Sequence, residues 1–510
     1  MPDSAYQKLR IRMREAALLR SSAHVLSWDQ ETHLPANGVS WRATQLGVLS
    51  RHVHELVTSP EIGDWLAQAE AESLPVDPTM YAKGEDHFTP DDAATMATNL
   101  RGWRRAYDRA TKLPVELVEE WSRMTSIAQT IWAEARRKSD FSHFQNLLGH
   151  LVQLARRRAD AWGWQDCRYD ALLEEYEPGA RSTEIAALFG ELGPQLSTLL
   201  APAAENAARL PRDVLASHYP IPAQQAFNRE VAEAVGFDFS SGRLDTTTHP
   251  FCTGLGPGDT RLTTRYDEAD FTSSLYGVLH EVGHGLYDQG LDPIEWGHPA
   301  GDACSLGIHE SQSRLWENHV GGSRAFWRHW FPRAVQHFPH LGKLDPDAVA
   351  AAVARVEPSF IRVEADEVTY DLHIIVRFEI ERALIAGDLA VADVPGAWNE
   401  RFRTLLGLEV PDDARGCLQD VHWSCGLFGY FATYTLGNLN AAQLMHHARR
   451  TVPGLDDALA AGKYAPLLVW LRQKIHWQGQ RFDAPDLMRQ ATGEPTQTRY
   501  FLDHLRGKFL

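Results

Sequence analysis

The chain has 510 residues, 44% hydrophobic and 23% charged, which is enough to bury a sizeable core and excludes a disordered or collagen-like architecture. Lys and Arg total 50 against 67 Asp and Glu, a formal charge of −17, and no basic run is interleaved with aromatics. A nucleic acid or an anionic membrane is therefore not an expected partner. No stretch of about 18 apolar residues occurs, so no membrane span is expected. The opening MPDSAYQKLRIRMREAALL is charged throughout and lacks the apolar centre of a secretory signal. Cys167, Cys252, Cys304, Cys417 and Cys425 are odd in number, far apart and without a C-x-x-C pair. That usage favours reduced thiols in a cytoplasm over a disulfide framework or a thiolate zinc site.

Helical periodicity dominates. Between 115 and 135, Leu117, Trp121, Met124, Ala128, Ile131 and Ala135 recur in steps of four and three, one face of a helix packed on a core. Trp121 and Trp132 read most simply as core fillers. Helices are also predicted over Ser142–Trp164 and Thr183–Ala207, the second interrupted at Pro194 and Pro202. Breakers fall at 72–89, around Pro211 to Pro222, and at 252–259, none of them a convincing interdomain linker. From Arg243 to Arg265 the chain is rich in Thr and turn residues, which predicts two short strands around a Gly-Pro turn.

The segment FTSSLYGVLHEVGHGLYDQG predicts a helix, with Asp270 able to cap its start, Leu275, Val278, Leu279 and Val282 along one side, and Gly290 able to stop it. It contains His280-Glu281-Val282-Gly283-His284. Positions i and i+4 share a helix face, so both imidazoles can bind one Zn²⁺ while Glu281 reaches the water beside it. With 23 His in the chain, an H-E-x-x-H arises by chance in roughly one such sequence in twenty. The bland alternative is a pair of histidines that merely pack. The apolar helix around them, and Gly283 as room beside the metal, favour the metal reading.

A catalytic site of this kind needs a third protein ligand. A histidine six residues after His284 would continue the motif in one class, but Gly290 stands there, and a glutamate nineteen residues on would fall at Ala303. Asp288, Asp292, Glu295, Asp302, Glu310 and Glu317 are the candidate carboxylates downstream. Spacing favours Glu310, in GIHESQSRLWENH, where it shares a face with Arg314 and Glu317; its alternative reading is a solvated helix charge. Asp292 and Glu295 lie in a Pro-containing turn, a less rigid support.

Six blocks now line up: His249-Pro250-Phe251; Asp259-x-Arg261-x-Thr263; His280-Glu281-Val282-Gly283-His284; His309-Glu310-Ser311-Gln312; Ile361-Arg362-x-x-Ala365-Asp366; and Gly416-x-x-Gln419-Asp420-x-His422-Trp423. In order and spacing they resemble the Taq-type metallocarboxypeptidase family, with further likeness in WDQETHLPANG, YDALLEEYEPG and YTLGNLNAAQL. The resemblance implies His280, His284 and Glu310 as metal ligands and Glu281 as general base, with one divalent ion, Zn²⁺ first and Co²⁺ as an alternative. It implies peptide substrates with a free C-terminus, a homodimer, and a deep groove closed at one end by the H-P-F and D-x-R-x-T blocks.

Arginine forks pair bidentately with carboxylates, and Arg362 and Arg261, in blocks that resemble the family's substrate motifs, are the candidates for the substrate's terminal carboxylate. Arg362 reads equally as a partner of Glu364 or Asp366, and Arg261 as a solvated strand residue. His249 and the Thr-rich strands offer an edge for an extended peptide. His422, Tyr430 or Tyr434 can bind the peptide or stabilise the oxyanion, or else serve as core residues. Asp366 is a candidate support for a metal-bound imidazole, or an ordinary helix charge.

The expected architecture is mainly α: a single domain over 1–510, helical to about 240, with a small sheet, the metal site and further helices over about 241–510. Competing functions are a related helical oligopeptidase cutting inside short peptides, a peptide-binding protein without turnover, and a non-hydrolytic metal protein.

Overall fold

The computed structural model describes residues 4–73, 92–209 and 211–510; the breaker stretch expected at 72–89 lies, from 74 onward, outside the described residues. The chain starts with helices α1 (Ala5–Thr32), α2 (Val39–Thr58), α3 (Pro60–Glu72) and α4 (Ala93–Lys112). Next come α5 (Val115–Lys138), α6 (Ser142–Trp162), α7 (Arg168–Leu173), α8 (Ser182–Ala207) and α9 (Ile221–Val235). Strands β1 (Gly242–Thr246), β2 (Cys252–Gly256) and β3 (Asp259–Thr264) lead into α10 (Phe271–Asp288) and α11 (Leu306–Arg314). The remainder is α12 (Arg324–His337), α13 (Pro346–Val353), α14 (Tyr370–Ala386), α15 (Val394–Leu406), α16 (Ala432–Thr451), α17 (Leu455–Ala460), α18 (Ala465–Lys474), α19 (Ala484–Thr492) and α20 (Thr498–Phe509). The fold is mainly α, with one small sheet directly before the motif helix.

Two expectations need correction. Helix α8 is not interrupted: it runs through Pro194 and Pro202. Both prolines lie on its exposed side, where water can hydrate the carbonyls they leave without an N–H partner. Meanwhile Ile185, Phe189, Leu192, Leu196 and Ala203 keep the other side buried. The sheet has three strands rather than two. β2 and β3 are the antiparallel hairpin expected around Pro257, and β1 adds in parallel on the other side of β3. Its sequence, GRLDT, is too short and mixed to show a period, and its place is set by pairing with residues about eighteen positions away.

Helix α5 buries Leu117, Ala128 and Ala135 as the stripe predicts, while Trp121 and Trp132 are half-buried at the edge of the core. One apolar core joins α5, α6 and α8 to α14, α15 and α20, and another joins α9, α10 and α12 to α18. Helix α16 belongs to both, through Leu436 and Leu439 on one side and Ala441, Leu444 and Met445 on the other. Residues from early and late in the chain thus share a core, and α16 runs between the two beside α11.

A candidate metal centre on two packed helices

Helix α10 starts on Asp270, whose Oδ1 accepts the backbone N–H groups of Thr272 (2.9 Å) and Ser273 (3.2 Å). Leu275, Val278, Leu279 and Val282 are fully buried on its inner side. Helix α11 starts on Ser305, whose Oγ accepts from Ile308 N at 3.1 Å, and Glu177 accepts from Gly307 N. Gly283 does not make room beside a metal. It makes room for the neighbouring helix: a Cβ there would lie 2.5 Å from Gln312 O and 2.6 Å from Ser313 Cα. On the far side, a Cβ at Gly437 of α16 would lie 2.5 Å from Glu310 Cγ. Glycines on α10 and α16 thus let three helices close around Glu310.

This closeness brings one ligand atom each of His280, His284 and Glu310 within 4.8 Å of one another. Glu310 Oε2 is 3.9 Å from His280 Nε2 and 3.5 Å from His284 Nε2. Both imidazoles are held from behind. His280 Nδ1–H donates to Glu317 Oε2 at 2.8 Å. His284 Nδ1 and His309 Nδ1 share a hydrogen bond of 2.6 Å, and His309 Nε2 in turn lies 3.2 Å from Asp288 Oδ1. Arg314 ties the acids together, donating from Nε to Glu310 (2.8 Å) and from NH1 to Glu317 (3.3 Å). Such outer contacts fix ring tautomer and orientation.

Glu317 and Asp288, two of the candidate ligands, therefore stand behind the histidines. Asp288 is one turn after His284 on the same face, a spacing that sequence could have flagged. Glu317 lies within a π-helical turn over Leu315–Gly321, and its place behind His280 depends on how that turn packs against α10. Asp366 supports neither imidazole; it accepts the N–H groups of Glu357, Val368 and Thr369.

Glu281 is 6% exposed, and among the described residues it forms no hydrogen bond or ion pair. Burial pushes its carboxyl up to about 7; the His280 charge opposes the rise and Glu310 adds to it. Burial pulls His284 down to about 4, although Glu310 opposes that shift. For His280 the attraction of Glu310 and Glu317 outweighs burial and lifts it to about 9. Glu310 itself stays ionised, since Arg314 and the two histidines overcome its burial.

A second charged cluster is built around Asp420. Arg362 donates from Nε (3.0 Å) and NH2 (2.9 Å) to Oδ1, and Arg377 donates from Nε to Oδ2 at 2.6 Å. The Arg362 partner is thus Asp420, not Glu364 or Asp366. Arg362 NH1 also donates to the Tyr370 hydroxyl at 3.0 Å, and its guanidinium lies 5.1 Å from the Tyr434 ring centre. Two guanidiniums share one carboxylate, so the cluster keeps one uncompensated positive charge. His422 sits beside it, with Nε2 3.4 Å from the Tyr434 hydroxyl and its pKa held down to about 4, chiefly by burial. Tyr430 and Tyr434 stand with ring centres 5.4 Å apart.

Arg261 and His249 are not brought to the metal group by any contact among the described residues. Arg261 donates to both oxygens of Asp259 (3.0 and 2.9 Å) and stacks over Trp28 at 4.3 Å. His249 is exposed between β1 and β2. The two blocks that contain them form one local unit, because Thr263 Oγ1 accepts from Phe251 N at 2.8 Å and Thr263 N donates to Phe251 O at 2.9 Å. A groove of about 660 Å³ runs between α1 and β2, with Arg20 and His24 on one wall and Asp288 and His309 on the other.

Two histidines and a carboxylate on packed helices form a group that can hold one metal ion, and a buried glutamate stands beside them. The chain matches the Carboxypeptidase Taq (M32) metallopeptidase family over residues 8–509, and it belongs to that family. It is 44% identical to Thermostable carboxypeptidase 1 of Thermus thermophilus, over 100% of this chain and 99% of that one. It is 36% identical to Carboxypeptidase 1 of Bacillus subtilis, over 95% of this chain and 94% of that one. Its structure is similar to that of Pyrococcus furiosus carboxypeptidase, with a TM-score of 0.93 and 33% identity over all of both chains. The Deinococcus radiodurans carboxypeptidase of the same family gives a TM-score of 0.92 at 37% identity, covering 99% of each chain. The protein is a metal-dependent carboxypeptidase.

Proposed function

We propose that the protein releases single residues from peptide C-termini, with Glu281 as general base and Arg362 as the residue that recognises the terminal carboxylate. The observation that carries this reading is the convergence of His280, His284 and Glu310 beside a carboxylate that no other group engages. Two imidazole nitrogens and one carboxylate oxygen suit Zn²⁺, and the same donors accept Co²⁺. His280, His284 and Glu310 would hold the divalent ion, which would supply Lewis-acid polarisation of the scissile carbonyl and lower the pKa of water toward neutral pH.

The chain's own groups do the rest. Glu281 takes the proton of the attacking water, holds it at its buried carboxyl, and delivers it to the leaving nitrogen. His309 and Asp288 keep His284, and Glu317 keeps His280, in the tautomer that leaves Nε2 free. The Arg362–Arg377–Asp420 cluster lacks one negative charge, and the substrate carboxylate supplies it. Each terminal nitrogen of Arg362 has one N–H left over from Asp420 and Tyr370, a fork that matches a carboxylate end-on. His422 and Tyr434 flank that position and can bind the peptide; Arg261 and His249 contribute by shaping the sheet end of the groove.

We further propose a single domain over 1–510, a cytoplasmic setting consistent with five free thiols, and a homodimer, as the family resemblance implies. No helix among the described residues is long and apolar enough to cross a membrane. The test is Glu281→Gln: kcat falls by about 10²–10⁴ while metal content is retained. Unchanged turnover would remove Glu281 from the mechanism.

A further inference from the structure

Away from the metal ligands, a cavity of about 630 Å³ opens where the ends of α8, α16 and α20 meet the start of α12. Arg209, Arg324, Arg449, Lys508, His319 and His504 line it. The acidic side chain among its described lining residues is that of Asp503, which Arg506 already pairs at 3.1 Å. Arg449 pairs with Asp456 and Lys508 with Glu367, whereas Arg209 and Arg324 form no ion pair among the described residues. On a chain of formal charge −17, this is a local reversal of sign. Arg324 is also the first residue of α12, so the positive end of that helix faces the same space.

The floor points to a ligand independently. His319 is 4% exposed, lies against His504 with ring centres 3.9 Å apart and the rings tilted by 42°, and makes no side-chain hydrogen bond among the described residues. A buried imidazole needs a partner for its N–H, and the cavity is where one can sit. The position matters too. Asn318 and His319 belong to the π-helical turn whose Glu317 holds His280. A smaller cavity of about 350 Å³ shares Asn318, Gly322 and Lys508 with the first and reaches Arg314 and Glu317 behind the metal ligands.

We propose that this cavity binds a small, multiply charged oxyanion, a phosphate ester or a polycarboxylate, and that its occupancy adjusts the metal centre through the π-helical turn. Arginine forks pair with either kind of oxyanion, and the volume is that of small-molecule sites. The binding stands apart from the peptidase reading; the coupling rests on it.

Calorimetric titration of the metal-loaded protein with inorganic phosphate, a hexose bisphosphate and tricarballylate, at constant ionic strength, tests the binding. Peptide hydrolysis and metal content are followed in the same solutions. Wild type is expected to bind the bisphosphate or tricarballylate saturably, and which of the two binds tells phosphate ester from polycarboxylate. The double variant R324E/R449E should bind about tenfold or more weakly, with basal kcat/KM within about twofold of wild type. Saturation should shift wild-type kcat/KM by about twofold or more and leave the variant unmoved. If the double variant does not fold, Arg324→Gln serves for the same comparison. No saturable binding of any of the three anions, or equal binding by a folded variant, overturns the site. Binding with kcat/KM unchanged overturns the coupling.

Discussion

Replacing Arg362 by Met should separate recognition from stability, because of how charge is counted around Asp420. Wild type buries two guanidiniums against one carboxylate, with Arg377 at 0% and Arg362 at 7% side-chain exposure. Arg362→Met leaves Arg377 and Asp420 as a one-to-one pair, so stability should fall by only about 1–2 kcal/mol, the net value of the lost hydrogen bonds. Asp420→Asn instead leaves both buried guanidiniums without a counter-charge and should cost about 3–5 kcal/mol. For activity the order is different. Losing a buried partner of the substrate carboxylate costs about 2–5 kcal/mol in kcat/KM, which is roughly 30- to 5,000-fold, on peptides with a free C-terminus. Urea midpoints for both variants, with kcat/KM on a blocked dipeptide for Arg362→Met, make the comparison. The reasoning fails if Arg362→Met is as unstable as Asp420→Asn, or if it cleaves the free acid at the wild-type rate.

The residues behind the histidines should set metal affinity. Glu317→Gln frees His280 and His309→Ala frees His284, and each should weaken metal binding about 10- to 100-fold in competition with a chelating dye; wild-type affinity in both would show that the imidazoles are positioned by something else. Stability should also depend on Glu177, whose carboxyl burial pushes up from 4.5 to about 8 against the hydrogen bonds of Ser305 and Gly307. Between those values the folded state keeps a proton that the unfolded chain has released. The Glu177 contribution is therefore complete below 4.5 and falls by about 1.4 kcal/mol per pH unit up to about 8. Glu177→Gln keeps an acceptor for Gly307 and should flatten the urea midpoint across that window; an unchanged slope would assign the dependence elsewhere.

What sequence could disclose here was what is local. The stripe over 115–135, the Asp270 cap and the i, i+4 pair of His280 and His284 each depend on residues within a turn or two, and the structure has the helices they predict. That Glu310 comes close to the histidine pair was legible because a second short helix with an acid at its centre follows closely. The partners that fix the chemistry are non-local. Asp420 lies 58 positions from Arg362, so the nearer Glu364 and Asp366 were the visible alternatives. Sequence alone assigns Gly283 open space beside it, whereas its neighbour is the backbone of Gln312 and Ser313, which depends on how two helices pack. Proline is a reliable breaker inside a core, but at Pro194 and Pro202 exposure to water decides, and exposure is a property of the folded molecule.

The most direct test of the central claim is mass spectrometry of a short peptide incubated with the metal-loaded protein, beside its C-terminally amidated twin and a chelated control. The account predicts a ladder that loses one residue at a time from the free C-terminus, absent from the other two. Internal cuts in both the free and the amidated peptide would contradict it.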